Sequence, residues 1–60
     1  MSRNYKLLVI DDDFTVRQSL VFILKDKYYM FCEKGAFEGL NCLSQNQVDV
    51  ILMDVRMPNM

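Results

Sequence analysis

The chain is 60 residues long, 52% apolar and 25% charged, with a formal net charge of −1. These figures describe at most one domain with an intended core, and they exclude a disordered tail; a chain this short buries only about 60% of the surface its unfolded form exposes. The near-neutral charge gives no bulk electrostatic case for nucleic acid or an anionic membrane surface.

Targeting and metal patterns narrow the reading further. No apolar run approaches the ~20 residues required to span a bilayer. Leu7 to Ile10, the apolar stretch near the N-terminus, is shorter than a secretory h-region and runs into three aspartates, so a cytoplasmic protein without a signal peptide is expected. Cys32 and Cys42 form no CxxC and the chain has no histidine, which removes the usual ligand set for structural zinc. Both cysteines are expected as small buried hydrophobes in a reducing compartment.

Met1 to Tyr5 is a polar lead-in, and the first strand is expected to start at Lys6. Leu7-Leu8-Val9-Ile10 has no polar alternation, the pattern of a strand covered on both faces by helices. Asp11-Asp12-Asp13 then turns the chain, and any of the three can cap a helix running from Phe14 to about Lys25. Val16, Leu20, Ile23 and Leu24 fall at i, i+4, i+7 and i+8 and predict its apolar stripe, with Arg17, Gln18 and Lys25 largely on other faces.

Asp26-Lys27 connects to an aromatic-rich second strand, Tyr28 to Glu33, suited to an edge. After the turn at Lys34-Gly35, a second helix is expected over Ala36 to Ser44 with Ala36, Leu40 and Leu43 facing inward. Gly39 in its interior costs about 1 kcal/mol relative to alanine. The polar loop Gln45-Asn46-Gln47 ends it, and Val48 to Met53 forms the third strand. Val50-Ile51-Leu52-Met53 runs straight into Asp54, so this strand too reads as fully buried and ending in an acid.

Strand, helix, strand, helix, strand with short connections is a βαβαβ unit of the α/β class, with a parallel sheet and right-handed crossovers. The two continuous apolar runs should be neighbours, which gives the spatial order 2-1-3. Both acidic ends then reach one edge of the sheet, the edge where ligands of open parallel sheets bind. With adjacent strands about 4.8 Å apart, Asp11, Asp12 and Asp54 come within reach of a single cation. Three uncompensated carboxylates repel one another, and a hard divalent cation, Mg²⁺ or its substitutes Mn²⁺ and Ca²⁺, relieves that. The plainer alternative is that Asp11 to Asp13 only cap the helix while Asp54 is an ordinary loop acid.

These residues resemble the receiver domain of bacterial two-component response regulators, a flavodoxin-like fold. The likeness runs through Leu7-Leu8-Val9-Ile10-Asp11-Asp12-Asp13, Arg17 and Leu20, then Gly35, Glu38 and Leu40, and finally Asp49 to Pro58. It implies that Asp54 accepts a phosphoryl group from a sensor histidine kinase or phosphotransfer protein, that Asp12 binds Mg²⁺ directly, and that Asp11 acts mainly through metal-bound water. It also implies that Arg56 offers its backbone carbonyl to the same metal, that Met57 and Pro58 shape the following loop, and that the domain catalyses only its own phosphorylation and dephosphorylation. Departures from the family pattern are Phe14 where proline is frequent, Val48 where proline often precedes the aspartate, and Gly39 where alanine is usual.

The family domain is roughly twice as long and carries a Ser or Thr after its fourth strand and a Lys after its fifth. Residues 1–60 correspond to its first three strands and two helices, so a truncated receiver domain is expected. An exposed third-strand edge would then template pairing with a second copy, making a homodimer the expected soluble form. Two other classes compete with the phosphoacceptor: a non-catalytic half-domain acting in dimerisation or kinase interaction, and a metal-dependent hydrolase of the haloacid dehalogenase kind, whose DxD motif Asp11 to Asp13 satisfies trivially. No glycine-rich loop follows the first strand, so nucleotide binding is not expected.

Overall fold

A computed structural model describes residues 5–54. Its elements in chain order are β1 (Tyr5–Ile10), α1 (Phe14–Leu24), β2 (Tyr28–Glu33), α2 (Ala36–Gln45) and β3 (Val50–Met53). The strands form one sheet in the order β2-β1-β3, with both neighbours parallel to β1. This is the architecture and strand order expected from the two apolar runs.

Because β1 is central, its side chains meet a helix on either face, and Leu7, Leu8, Val9 and Ile10 are at most 4% exposed. Leu8 and Ile10 share one face by the two-residue period of a strand. They pack with Cys42 of α2, and Phe31, Leu43 and Val48 close around them. Right-handed crossovers to either side of β1 put α1 and α2 on opposite faces, leaving Leu7 and Val9 to the α1 side.

β3 departs from the fully buried strand expected of it. Val50, Ile51, Leu52 and Met53 are 38 to 47% exposed, because among the described residues β3 has only β1 beside it and no helix across it. The strand also begins at Val50 rather than Val48. Val48 instead packs against the core, and Asp49 makes a clamp: its N–H donates to the Lys6 carbonyl, while its carboxylate accepts from the Lys6 N–H, each at 2.8 Å. That two-way bond sets the parallel register, Leu7 opposite Val50 through Ile10 opposite Met53.

The helices lie where expected, but each is rotated from its predicted phase. In α1 the half-buried residues are Arg17, Leu20, Val21 and Leu24, an i, i+3, i+4, i+7 face. Val16 and Ile23, assigned to the inner stripe, are 38% and 67% exposed, whereas Arg17 lies on the packed side. In α2 Ala36 and Leu43 are half-buried as expected, but Gly39 and Cys42 are the buried residues and Leu40 is turned outward at 65% exposure. The helix ends at Gln45, capped by Asn46, whose backbone N–H and side-chain amide both donate to the Cys42 carbonyl.

Gly39 explains the rotation of α2. A Cβ there would fall 3.1 Å from Ile10 Cγ1 and nearer still to Cδ1, so the missing side chain is what lets α2 approach β1. Gly39→Ala gains about 1 kcal/mol of helix propensity but overpacks this contact, which costs about 1 to 3 kcal/mol. The expected net is a small loss of stability that disappears when Ile10→Val is added. Urea midpoints of the two single variants and the double variant check this; simple additivity would rule out the contact as the cause.

Candidate metal centre

The carboxylates owe their placement to the register. Ile10 and Met53 are partners at the ends of β1 and β3, so the next residues, Asp11 and Asp54, leave the sheet side by side. The Asp54 N–H continues the ladder to the Ile10 carbonyl at 3.0 Å, and the Asp11 N–H reaches across to the Glu33 carbonyl at 3.1 Å. The end of β1 is thereby tied to both neighbouring strands.

Asp11, Asp12 and Asp54 each contribute an oxygen to a group whose members all lie within 4.8 Å of one another. Asp11 is buried, Asp54 half-buried and Asp12 exposed, so the group is anchored on one side and open to solvent on the other. A shallow depression of about 310 Å³, walled by Leu20, Leu52 and Met53, adjoins Asp11 and Asp54. Hard carboxylate oxygens at this separation fit a hard divalent cation.

Asp13 stands apart from this group. Its Oδ1 accepts from the backbone N–H groups of Thr15 at 2.8 Å and Val16 at 3.3 Å, the N-cap of α1. Of the three consecutive acids one is the cap and two face Asp54, so the alternative in which all three merely cap the helix does not describe this turn. The same arrangement weighs against the DxD hydrolase reading, because the second acid of that motif is engaged with the helix.

Arg56, whose backbone carbonyl was expected at the metal, lies outside the described residues, as do Met57 and Pro58. Sequence reasoning missed the part played by Arg17: its Nη1 donates to the Asp11 carbonyl at 2.7 Å, and its Cζ lies 5.6 Å from the centre of the Phe14 ring. The available signal was a cation one helical turn beyond an acidic turn.

Cys42 is buried as expected, whereas Cys32 is only half-buried; both are free thiols. Burial pushes the Cys32 thiol above its ordinary range, with the Arg17 charge pulling it down and Glu33 adding to the rise. Since folding favours the neutral thiol, its contribution to stability is complete below the unfolded-state value and is lost as pH rises through the folded one. Thermal melts carried from neutral pH into alkali should therefore fall more steeply for the unaltered chain than for Cys32→Ser. Parallel curves would contradict this.

An open parallel sheet in the order β2-β1-β3 with acids at its carboxyl edge defines the flavodoxin-like α/β class. Within that class, residues 7–60 match the family model of the response regulator receiver domain, and the chain belongs to that family. It is also 34% identical over 56 residues to hybrid signal transduction histidine kinase B of Dictyostelium discoideum, a match that covers 92% of this chain and 3% of that protein. The likeness thus extends beyond bacterial regulators. No solved structure matches the chain.

Proposed function

We propose that the chain is the phosphoacceptor segment of a two-component phosphorelay, with Asp54 receiving a phosphoryl group from a histidine of a sensor kinase or phosphotransfer protein. In this reading residues 1–60 supply the first three strands and two helices of a receiver domain. The observation that carries it is the convergence of Asp11, Asp12 and Asp54 at one sheet edge in a chain of the receiver family.

The chemistry follows from that placement. An Asp54 carboxylate oxygen attacks phosphorus in line with the departing imidazole nitrogen; the P–O bond forms as the P–N bond breaks, and the imidazole leaves with the bonding electron pair and takes up a proton. Asp11, Asp12 and Asp54, with the Arg56 carbonyl, would hold Mg²⁺, which when bound would supply neutralisation of charge on the transferring oxygens. Positioning and electrostatics therefore do most of the work. Register fixes where Asp54 stands, the strand bonds to Glu33 and Ile10 fix the edge, and the anchored face of Asp11 limits how far the acids can spread. No reaction beyond the domain's own phosphorylation and dephosphorylation is assigned, and a cytoplasmic location fits such a role. Among the described residues no helix is long and apolar enough to cross a membrane.

Exposed apolar surface favours a second reading, a non-catalytic module that binds a kinase or a second copy of the chain. Phe14, Phe22 and Ile23 on α1 are 64 to 75% exposed, and β3 presents four apolar residues on an edge strand. In the homodimer version two β3 edges pair across a two-fold axis. Sedimentation equilibrium at micromolar concentration should then return twice the chain mass; a folded monomer would rule out this association.

The two readings separate on one experiment. The chain is incubated with a small phosphoramidate donor and Mg²⁺, and intact mass is recorded. Gain of one phosphoryl group, labile to hydroxylamine as an acyl phosphate is, supports the phosphoacceptor; a folded chain that gains none supports the interaction module.

A further inference from the structure

Resting on the metal reading of the acid cluster, we propose that Arg17 and Phe14 are positioning residues for it: the Arg17 guanidinium, shielded by the Phe14 ring, pins the Asp11 carbonyl and so holds the turn that aims Asp11 and Asp12 at Asp54.

Asp11 is held at several of its polar atoms. Its N–H is bonded to the Glu33 carbonyl at 3.1 Å, its carbonyl accepts from Arg17 Nη1 at 2.7 Å, and its Oδ1 accepts from the Asp13 N–H at 2.9 Å. Three of its four polar atoms carry hydrogen bonds, while its carboxylate also contributes an oxygen to the acid group. Sheet pairing accounts for the first bond and the local turn for the third. Only the second comes from a side chain, reaching back six residues, and it is the bond that fixes the peptide joining Asp11 to Asp12. Rotation of that peptide would swing Asp12, which is exposed and has no comparable tether.

Phe14 supplies the other half. It is 64% exposed and adds little to the core, yet its ring sits one turn before Arg17 with the guanidinium 5.6 Å from its centre. A ring face at that distance attracts the cation and covers one side of it from water, which favours the compact rotamer that reaches Asp11. Phe14 is a point at which this chain departs from the family pattern, so this support is a feature of this sequence. The guanidinium is also suited to the task, since its rigid planar fork donates to a carbonyl while lying against a ring, which an ammonium does less well.

The test uses the full 60-residue chain with Arg17→Gln, Arg17→Lys, Phe14→Leu and the Arg17→Gln/Phe14→Leu pair. Three quantities are read: thermal midpoint, exchange of the Asp13 amide without metal, and the Mg²⁺ dissociation constant from amide shifts. Arg17→Gln should speed Asp13 exchange selectively and weaken Mg²⁺ binding about 10-fold, the scale for loss of a partner that orients a metal ligand. Phe14→Leu should act in the same direction but less, and the pair should match Arg17→Gln alone, because the ring works through the guanidinium.

A folded Arg17→Gln chain with unchanged Asp13 exchange and unchanged affinity overturns the proposal. So does a loss of protection spread evenly over α1 in proportion to stability, which is the mark of a merely structural residue. If Arg17→Gln fails to fold, Arg17→Lys decides by the same criteria with a partial effect expected. Absence of any Mg²⁺ response in the unaltered chain would overturn the metal reading itself, while Asp13 exchange would still tell whether Arg17 holds the turn.

Discussion

Asp54→Asn is expected to reduce phosphoryl incorporation to background while leaving the sheet intact. The substitution keeps the side-chain volume and keeps the backbone N–H that bonds the Ile10 carbonyl at 3.0 Å, so this ladder bond at the end of β3 is retained. What it removes is the anionic oxygen proposed to attack phosphorus; a neutral amide is a poor nucleophile and a weaker ligand for a hard cation. It also removes one of three like charges crowded within 4.8 Å. Without metal the loss of that repulsion works in favour of the folded variant. Intact mass after treatment with phosphoramidate, paired with a thermal melt, checks both halves; incorporation that persists in Asp54→Asn would move the acceptor elsewhere.

Leu8→Ala should have the largest effect on folding. Leu8 is 0% exposed and lies between Ile10, Cys42 and the ring of partly buried residues around them. Truncating such a leucine costs about 2 to 5 kcal/mol, and a chain of this length has only about 3 to 9 kcal/mol in total. A large share of the chain's stability should be lost, and the urea midpoint should fall sharply. Leu40→Ala is the informative partner because sequence reasoning placed Leu40 in the core, whereas it is 65% exposed. Its expected cost is within about 0.5 kcal/mol. Far-ultraviolet circular dichroism in urea distinguishes the two, and a large loss for Leu40→Ala would restore the predicted phase of α2.

What could be read from the sequence depended on which signals were local. β1 was legible because four apolar residues followed by acids have one economical reading, a central strand delivering carboxylates to an edge. The order β2-β1-β3 followed from pairing that run with Val50 to Met53, and the convergence of Asp11, Asp12 and Asp54 followed from the order. The division of labour within Asp11-Asp12-Asp13 was not legible, because each is an equally good cap by type and only the backbone path selects Asp13.

Helix phase failed for a different reason. Apolar residues cover more than one face of α1, and periodicity favoured Val16 and Ile23 over the half-buried Arg17 and Val21. In α2 the deciding residue was Gly39, which has no side chain to count and whose role is to let Ile10 come close. Val48 was assigned to β3, while the Asp49 clamp to Lys6 begins the pairing one residue later. Each miss concerns a contact between residues distant in sequence, where a local pattern carries no information.

If two strand ends build one cation site beside an acceptor carboxylate, a Mg²⁺ titration followed by amide NMR will show it most directly. Saturable shifts confined to Asp11 to Asp13 and to Met53 and Asp54, abolished in Asp12→Asn and Asp54→Asn, are the predicted result. A folded chain whose amides do not respond to Mg²⁺ would contradict it, and the acids at the sheet edge would then be a structural feature of this turn rather than a working site.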